Sequence, residues 1–238
     1  MLKRIKEGVE VLSGVLMIAV ACAVLWRMAQ PATRATASAS SRPAPAAAPL
    51  PAEPLALDGA VLRGQPTAKV AIIGFSDFQC PYCARFATET FPQLDRDFLS
   101  TGKAVFAFRH MPLESIHPQA AKAAEAAECA KEQGRFWEMH DLLFQNPRTI
   151  DQAQIRRHAQ SIPVALPAFD ECMGGRLELK VRSDMVRAKA VGITGTPTFL
   201  IGRAQPDGTF KIAERLVGAQ PLSAFSSAIE RLLADQPK

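Results

Sequence analysis

The chain has 238 residues, of which 48% are hydrophobic and 21% charged, and its formal net charge is +5 at pH 7. Residues 1–54 carry six lysines or arginines against three acidic residues, and residues 55–238 carry 22 against 20. Because the basic residues are interleaved with acidic ones and no nucleic-acid-binding motif is present, we do not expect the protein to bind nucleic acid.

Residues 1–30 are predicted to form an N-terminal membrane anchor, a transmembrane helix. Basic residues precede an apolar stretch of 16 residues, 11–26, that carries no charge. This stretch is slightly shorter than the roughly 20 residues of a spanning helix, and the positive charge before it favours a cytoplasmic N-terminus with the rest of the chain exported. The alternative is a cleaved signal peptide that ends at 37–39, although this site lies far beyond the apolar stretch.

Residues 31–54 are predicted to form a Pro/Ala-rich linker, because 15 of these 24 positions are proline or alanine. Such a composition cannot build a core, and it favours an extended, semi-rigid spacer. The remaining residues, 55–238, are numerous enough for one compact domain.

A short strand leads directly into a pair of cysteines. The run 70–75 is apolar almost throughout, which predicts a strand that is buried on both faces of a helix-covered sheet. The chain then turns, and the pattern becomes helical from Pro81, a residue that fits a first helical turn. Pro92 lies inside this helical stretch and is expected to kink or split it. Cys80 is therefore placed at the start of a helix, with Cys83 one turn further on.

This position favours thiol–disulfide exchange. Unpaired backbone N–H groups and the helix dipole stabilise a thiolate at Cys80, so we interpret Cys80 as the attacking nucleophile and Cys83 as the resolving thiol. A zinc site would need two more ligands, and Cys129 and Cys172 stand without a second C-x-x-C or a paired histidine, so no metal is expected. A static disulfide and a pair of ordinary buried cysteines are the remaining alternatives.

The rest of the domain is predicted to place a helical block between two groups of strands. The elements are a strand at 104–108, an all-helical insertion at about 112–191, a strand at 210–216 and a final helix at 222–233. Asp151 is expected to cap a helix inside the insertion. Asp207 and Gly208 predict the hairpin turn before the strand at 210–216.

A second motif lies far downstream. Gly195, Thr196 and Pro197 precede an apolar strand. A proline at the start of a strand avoids the loss of a ladder hydrogen bond. On this pattern alone the Thr196-Pro197 bond is expected to be trans, the usual isomer.

Together, segments 75–83 and 195–199 resemble the two motifs of the thioredoxin superfamily, and most closely those of its DsbA-type bacterial branch. The resemblance covers about residues 55–235. It implies an α/β fold, with a thioredoxin-like mixed sheet flanked by helices and an all-helical insertion. It also implies that the Thr196-Pro197 peptide is cis, faces the dithiol and binds the substrate backbone, with Tyr82 as a further substrate contact.

Several residues are predicted to support the site or the fold. Pro81, next to Tyr82 between the two cysteines, is expected to influence the redox potential. Asp77 is expected to cap the helix or, as an alternative, to transfer a proton. In an oxidising compartment Cys129 and Cys172 are expected to form a structural disulfide, the alternative being two buried thiols. A surface or packing position is expected for His110, and positions on a helix surface are expected for His117 and His158.

The resulting prediction is an enzyme, an exported thiol:disulfide oxidoreductase that acts on the cysteines of other exported proteins as a disulfide donor. It needs no cofactor, because the electrons reside in its own cysteines, but it needs a redox partner that regenerates them. We expect a monomer in the bacterial inner membrane with its catalytic domain in the periplasm, or a soluble periplasmic protein if the N-terminus is cleaved. The alternatives are a disulfide reductase or isomerase, a glutaredoxin-like enzyme, and a non-enzymatic chaperone with a vestigial dithiol.

Overall fold

Five strands form one mixed sheet in the computed structural model, which describes residues 49–235. The strands are β1 (Val61–Gly64), β2 (Val70–Ser76), β3 (Ala104–His110), β4 (Thr198–Ala204) and β5 (Phe210–Val217). Their order across the sheet is β1-β3-β2-β4-β5. Strand β2 pairs in parallel with β3 and antiparallel with β4, so the sheet is mixed as predicted.

Strand β2 lies at the centre of the sheet, and every one of its residues is buried. Its apolar sequence without alternation reflects burial on both faces, since helices cover each side. Strand β1 was not predicted from the sequence. It has four residues at the edge of the sheet, and only Val61 among them is buried, so it carries little hydrophobic pattern.

The helix that follows β2, α1, is continuous over 81–99 but irregular. It consists of α-helical segments Pro81–Arg85 and Phe91–Leu94, separated and followed by the π-helical segments Phe86–Thr90 and Asp95–Leu99. Pro92 has no N–H group to donate to the preceding turn. The chain absorbs this loss by widening the helix around Pro92 rather than by ending it, as π-bulges do.

Every regular element of the insertion between β3 and β4 is a helix. Its helices are α2 (Ala120–Lys131), α3 (Phe136–Gln145), a 3₁₀ turn (Pro147–Thr149), α4 (Gln152–Ser161), α5 (Leu166–Cys172) and α6 (Glu178–Ala190). Asp151 caps α4 as predicted, because its Oδ1 accepts a hydrogen bond of 2.6 Å from the N–H of Gln154. The last helix, α7 (Leu222–Ala234), follows β5 and returns to the sheet.

One face of the sheet is filled by aromatic side chains. Phe86 and Phe91 of α1, Phe106 of β3, Phe199 of β4 and Phe225 of α7 pack together, with ring centroids as close as 4.4 Å between Phe86 and Phe199. The opposite face has a smaller apolar cluster that helix α6 and the segment before β1 cover. This sandwich fixes α1, and with it the dithiol, against the end of β2.

The predicted membrane anchor and most of the linker lie outside the described residues. No helix within residues 49–235 is long and apolar enough to cross a membrane. The last linker residues, 49–54, contain no helix or strand. Leu55 then makes an isolated β-bridge with Phe210, through backbone hydrogen bonds of 2.9 and 2.8 Å.

Candidate active site

The two cysteines lie where β2 ends and α1 begins. Cys80 is the N-cap of α1, and its carbonyl accepts the first helical hydrogen bond, 3.0 Å from the N–H of Ala84. Pro81 occupies the first helical turn, as its missing N–H allows. Cys80 and Cys83 are the free cysteines of the described residues, and both are buried. A thiol pair one turn apart at a helix start is the geometry that the sequence predicts.

Cys80 is the more acidic of the two thiols. The pKa of Cys80 is lowered to about 6, chiefly by the hydrogen bond from the Cys83 side chain. Burial opposes this change, while the backbone N–H groups of Cys83 and Tyr82 and the side chain of Thr196 add to it. The backbone contribution is the helix N-terminus acting on a negative charge. Cys80 therefore carries a thiolate at neutral pH, which is the form that attacks disulfides.

Cys83 has the opposite character. Its side chain is inaccessible to solvent, and this burial raises its pKa well above the ordinary value, with the charge and hydrogen bond of Cys80 as further causes. Two weaker contacts act in the other direction: the hydroxyl of Ser76, and the backbone N–H of Asp77, 3.5 Å from Cys83 Sγ. The environments of the two sulfurs thus separate an attacking thiolate from a protonated resolving thiol.

The Thr196-Pro197 loop faces the dithiol. The peptide bond between Thr196 and Pro197 is cis, as the resemblance implies. Cys80 Sγ lies 3.4 Å from the carbonyl oxygen of Thr196, to which it donates when it is protonated. The residue after β5 fixes this loop, because the N–H of Gly218 donates to the carbonyl of Pro197 over 2.8 Å. The hydroxyl of Thr198 donates to the carbonyl of Gly195 over 2.7 Å.

Tyr82 and Pro81 form the exposed rim of the site. Tyr82 is 58% exposed, and the guanidinium of Arg85 lies 5.7 Å from the centroid of its ring. Arg85 also donates to the carbonyl of Ala219, 3.0 Å away, in the loop that follows β5. An exposed aromatic ring beside the attacking sulfur is available to a polypeptide chain that lies on this face.

Asp77 does not cap helix α1, which corrects the expectation from the sequence. It lies three residues before the N-cap, Cys80, which has no side-chain cap. The Asp77 carboxylate instead accepts hydrogen bonds from the N–H groups of Gln79 (2.7 Å) and Leu113 (2.8 Å), and it contacts His117 Nδ1 at 2.8 Å. Asp77 therefore joins the dithiol turn to the segment that enters the helical insertion.

His117 is a site residue that sequence reasoning missed. It was expected on a helix surface, but it lies before α2, and its ring contacts the buried carboxylate of Asp77. The two residues are 40 positions apart, so no local spacing links them. A second hydrogen bond joins this segment to the dithiol turn: the side-chain oxygen of Gln79 accepts from the N–H of Gln119 over 2.6 Å.

The remaining candidates lie in the insertion and at the end of β3. Cys129 of α2 and Cys172 of α5 are joined by a disulfide, and both are buried. His110 is buried at the end of β3, where its Nε2 lies 3.0 Å from Glu128 of α2. His158 is also buried rather than on a helix surface, and it contacts the side chain of Gln154.

Comparison with known proteins places this geometry in a family. The family model described as Thioredoxin matches residues 57–230. Among solved structures, Wolbachia pipientis α-DsbA1 is similar with a TM-score of 0.65 and 24% identity, over 76% of this chain and 94% of that one. The thiol-disulfide exchange protein α-DsbA2 of the same organism gives a TM-score of 0.61 and 19% identity, over 73% of this chain and 87% of that one.

The curated relatives have a different kind of name. The Na(+)/H(+) antiporter NhaA 3 of Salinispora tropica is 36% identical over 168 residues, which are 70% of this chain but 25% of the antiporter. The chain spans about a quarter of the length of the curated relatives it matches, so their antiporter activity is not carried over to it. The match of the family model to most of the described domain is decisive: the chain belongs to the thioredoxin superfamily and has the fold of its DsbA-type members.

Proposed function

We propose that this protein is a thiol:disulfide oxidoreductase that donates disulfides to the cysteines of other proteins. The observation that carries the proposal is the pair of unequal sulfurs at the start of α1. Cys80 favours the thiolate and faces the cis-proline loop, while Cys83 is enclosed behind it. This arrangement supports exchange chemistry rather than a static disulfide.

The donor reaction follows from these roles. A substrate thiolate attacks Cys80 in the Cys80–Cys83 disulfide, and Cys83 leaves with the electron pair. A second substrate thiolate then attacks the substrate sulfur of the mixed disulfide. The substrate gains a disulfide, the Cys80 thiolate leaves, and the enzyme is left with two reduced cysteines. A redox partner restores the starting state when Cys80 attacks its disulfide and Cys83 resolves the product.

The donor direction is supported by the acidity of Cys80. The thiolate that the Cys83 side chain and the helix start stabilise exists in the reduced enzyme and not in the disulfide form. A stabilised reduced form makes the disulfide a better oxidant, because exchange then runs towards the reduced enzyme.

The substrate is expected to bind as an extended chain across the mouth of the site. We assign Thr196 and Pro197 to contacts with its backbone and Tyr82 to contacts with its side chains. Their position beside Cys80 and the exposure of Tyr82 support this assignment. Pro81 and Asp77 support the site from the helix start and from the turn before it. No cofactor enters the proposed reaction, because each step exchanges one sulfur–sulfur bond for another.

The compartment and the partners belong to the same proposal. We expect residues 1–30 to anchor the protein in the bacterial inner membrane, with the catalytic domain in the periplasm, or a soluble periplasmic protein after cleavage. The disulfide between Cys129 and Cys172 supports an oxidising compartment. The substrates are exported proteins with reduced cysteines, and the protein is expected to act as a monomer.

The test is a disulfide-transfer assay with the full chain and a reduced, unfolded test protein. We expect the oxidised protein to generate disulfides in the test protein. Cys80→Ser should abolish the transfer. Cys83→Ser, mixed instead with a test protein that already contains a disulfide, should accumulate a mixed disulfide at Cys80, because Cys80 attacks that disulfide and no resolving thiol follows. Alkylation of reduced Cys80 should show a midpoint near pH 6. A Cys80 thiol that does not react with alkylating reagents at neutral pH would contradict the proposal.

The alternatives give different outcomes in related assays. Equilibration with glutathione buffers separates a donor from a reductase, because only a strongly reducing potential favours the reductase. Isomerase activity would appear as the repair of wrongly paired disulfides. A glutaredoxin-like enzyme would depend on glutathione for turnover. A chaperone with a vestigial dithiol would keep its binding to unfolded protein after Cys80→Ser.

A further inference from the structure

The mouth of the active site has one charged side chain. Three segments line it: 79–85 with the dithiol, 195–198 with the cis-proline, and 217–220 at the end of β5 and in the loop after it. Arg85 is the one charged residue of these three segments. Its side chain is exposed, and it forms no ion pair with a carboxylate of residues 49–235. A positive charge therefore stands beside the dithiol without a partner of opposite sign.

Two contacts hold the guanidinium of Arg85 in place. It donates to the carbonyl of Ala219 over 3.0 Å, and its central carbon lies 5.7 Å from the centroid of the Tyr82 ring. A guanidinium has five N–H donors in one plane, so most of them stay available to a ligand on this exposed face. Because the group is already fixed, a ligand loses little affinity to its ordering.

The loop that holds Arg85 is itself fixed to the rest of the site. The N–H of Gly218 donates to the carbonyl of Pro197 over 2.8 Å, and the hydroxyl of Thr90 donates to the carbonyl of Gln220 over 3.1 Å. Arg85 therefore keeps a constant position relative to the cis-proline loop, on which we expect the substrate backbone to lie.

The spacing suits a substrate side chain two positions from the cysteine that reacts. In an extended chain, side chains two residues apart point to the same face and are about 6.6 Å apart. Arg85 follows Cys80 by five residues, about 7.5 Å along a helix axis, and helical side chains lean back towards the N-terminus. When a substrate cysteine meets Cys80, a side chain two positions away can therefore reach the guanidinium.

The other charged groups near the mouth leave this position to Arg85. Glu89 is exposed about one turn further along α1, and it forms no ion pair with Arg85. Glu114 lies in the segment that enters the insertion, where it lines a cavity together with Arg182 of α6. His117, in the same segment, contacts a buried carboxylate. A substrate that lies between the cis-proline loop and α1 meets the charge of Arg85 first.

We propose that Arg85 is a specificity-determining residue, which selects substrates that carry an aspartate or glutamate two positions from the reacting cysteine. This inference rests on the proposed function and adds the class of substrate to it. The substrate carboxylate accepts charge-assisted hydrogen bonds from the guanidinium, with two parallel bonds as the best geometry. A lysine or arginine at the same position of the substrate is repelled. Because Arg85 binds a neighbouring side chain rather than a sulfur, it acts on binding and not on the exchange step.

The test is a single-turnover oxidation of short peptides by the full chain. The protein carries Cys22→Ser and an oxidised Cys80–Cys83 pair, and it is kept in mild detergent and in excess over each peptide. Three peptides contain one pair of cysteines and differ only two residues before the first cysteine and two residues after the second, where both positions are Glu, Gln or Lys. Each peptide loses two electrons and two protons as its disulfide forms, and the dithiol of the protein gains them. Acid quenching and chromatography give the second-order rate constant.

Arg85→Gln removes the charge and keeps an amide group. The ratio of the rate constants of the Glu and Gln peptides should be about fivefold larger for the parent than for Arg85→Gln. Dividing the two ratios cancels the intrinsic reactivity of the peptide thiols. The Lys peptide should react more slowly than the Gln peptide with the parent, and this difference should also be lost in Arg85→Gln. The preference should lie in the protein concentration that gives half the maximal rate, and not in the maximal rate.

Arg96→Gln is the matched control, because it removes the same charge near the far end of α1, where Arg96 pairs with Asp97. It should keep the preference of the parent. A fourth peptide has its two Glu residues directly next to the cysteines, where they point to the other face of an extended chain. The parent should prefer this peptide less than the first Glu peptide.

Three results overturn the inference. Equal ratios in the parent and in Arg85→Gln would mean that the charge does not select substrates. An equal slowing of all peptides in Arg85→Gln would mean that Arg85 only fixes the loop after β5. A preference that does not depend on the position of Glu would contradict the assigned contact. A parent that oxidises none of the peptides would instead contradict the proposed function, so the two kinds of failure are distinguishable.

Discussion

At the scale of single residues, the reactivity of the site depends on the small number of groups that stabilise the negative charge of the Cys80 thiolate. The lowered pKa of Cys80 comes from its neighbour Cys83, from backbone N–H groups and from Thr196. Of these, only Thr196 is supplied from another part of the chain. The hydroxyl of Thr196 is buried, with no well-aligned hydrogen-bond partner within residues 49–235. Its effect on Cys80 therefore involves no competing hydrogen bond.

Thr196→Val is expected to make Cys80 less acidic. The substitution keeps the shape of the side chain but removes the hydroxyl that lowers the pKa of Cys80. The alkylation midpoint of the reduced protein should move upwards from about pH 6, because a hydroxyl that favours the thiolate is lost. The measurement is the rate of alkylation of Cys80 against pH.

The control for this prediction is Thr101→Val. Thr101 lies beyond the other end of α1, where its hydroxyl donates to the carbonyl of Asp97 over 3.1 Å. This variant should keep the midpoint of the parent. A midpoint that is unchanged in Thr196→Val, or that moves to lower pH, would contradict the assigned effect of the hydroxyl.

At the scale of elements, the sequence identifies what is local and misses what is distant. Strand β2, the start of α1 and the cap of α4 were predictable, because each depends on neighbours in the chain. The continuation of α1 past Pro92 was not predictable from the sequence. It depends on the π-helical segments of α1, which arise from how this helix packs against the sheet. The contact of Asp77 with His117 was missed for the same reason, as only the folded chain brings the two together.

The disulfide between α2 and α5 is expected to stabilise the insertion without taking part in exchange. It closes a loop with a sequence separation of 43, for which chain entropy gives about 4 kcal/mol. Replacing both Cys129 and Cys172 by Ala should therefore lower the free energy of unfolding by about 2–4 kcal/mol. Denaturant titration measures this loss, and the alkylation midpoint of Cys80 should stay near pH 6.

The matched control is the replacement of both Cys80 and Cys83 by Ala, which opens no large loop. Cys22, the remaining cysteine of the chain, is also replaced by Ser in that variant. The denatured protein should then contain no titratable thiol if Cys129 and Cys172 are bonded. Two titratable thiols would contradict the disulfide. An unchanged free energy of unfolding in the Cys129 and Cys172 variant would show that the bond does not stabilise the fold.

At the scale of the whole molecule, the insertion is tied to the sheet by buried charges as well as by apolar packing. Arg109 of β3 donates to Asp184 of α6 over 2.8 Å, and both side chains are at most 3% exposed. The same guanidinium donates to the carbonyls of Asp58 (2.8 Å) and Ala56 (3.3 Å) in the segment before β1. One arginine therefore joins the sheet, the insertion and the N-terminal end of the domain.

This tie was not predictable from the sequence. Arg109 and Asp184 are 75 residues apart, and a charged residue at the end of an apolar strand gives no indication of its partner. The thioredoxin-like sheet and the existence of the insertion followed from the resemblance and from the order of helical and strand patterns. How the insertion is fixed to the sheet depends on pairs whose members approach each other only after folding.

Arg109→Met should destabilise the whole domain, because it removes the arginine partner of the buried Asp184 carboxylate and a donor to two backbone carbonyls. Removing one member of a buried pair typically costs 3–5 kcal/mol, and we expect about 3 here because Lys180 Nζ still contacts Asp184 at 2.7 Å. Arg156→Met, which breaks the exposed pair with Asp170, should cost less than about 1 kcal/mol. Urea unfolding gives both values.

Adding Asp184→Leu to Arg109→Met should recover part of the loss, since the unpaired charge is then gone. If the two arginine variants lose equal stability, or the double variant loses as much as the sum of the single ones, the buried pair does not fix the insertion to the sheet.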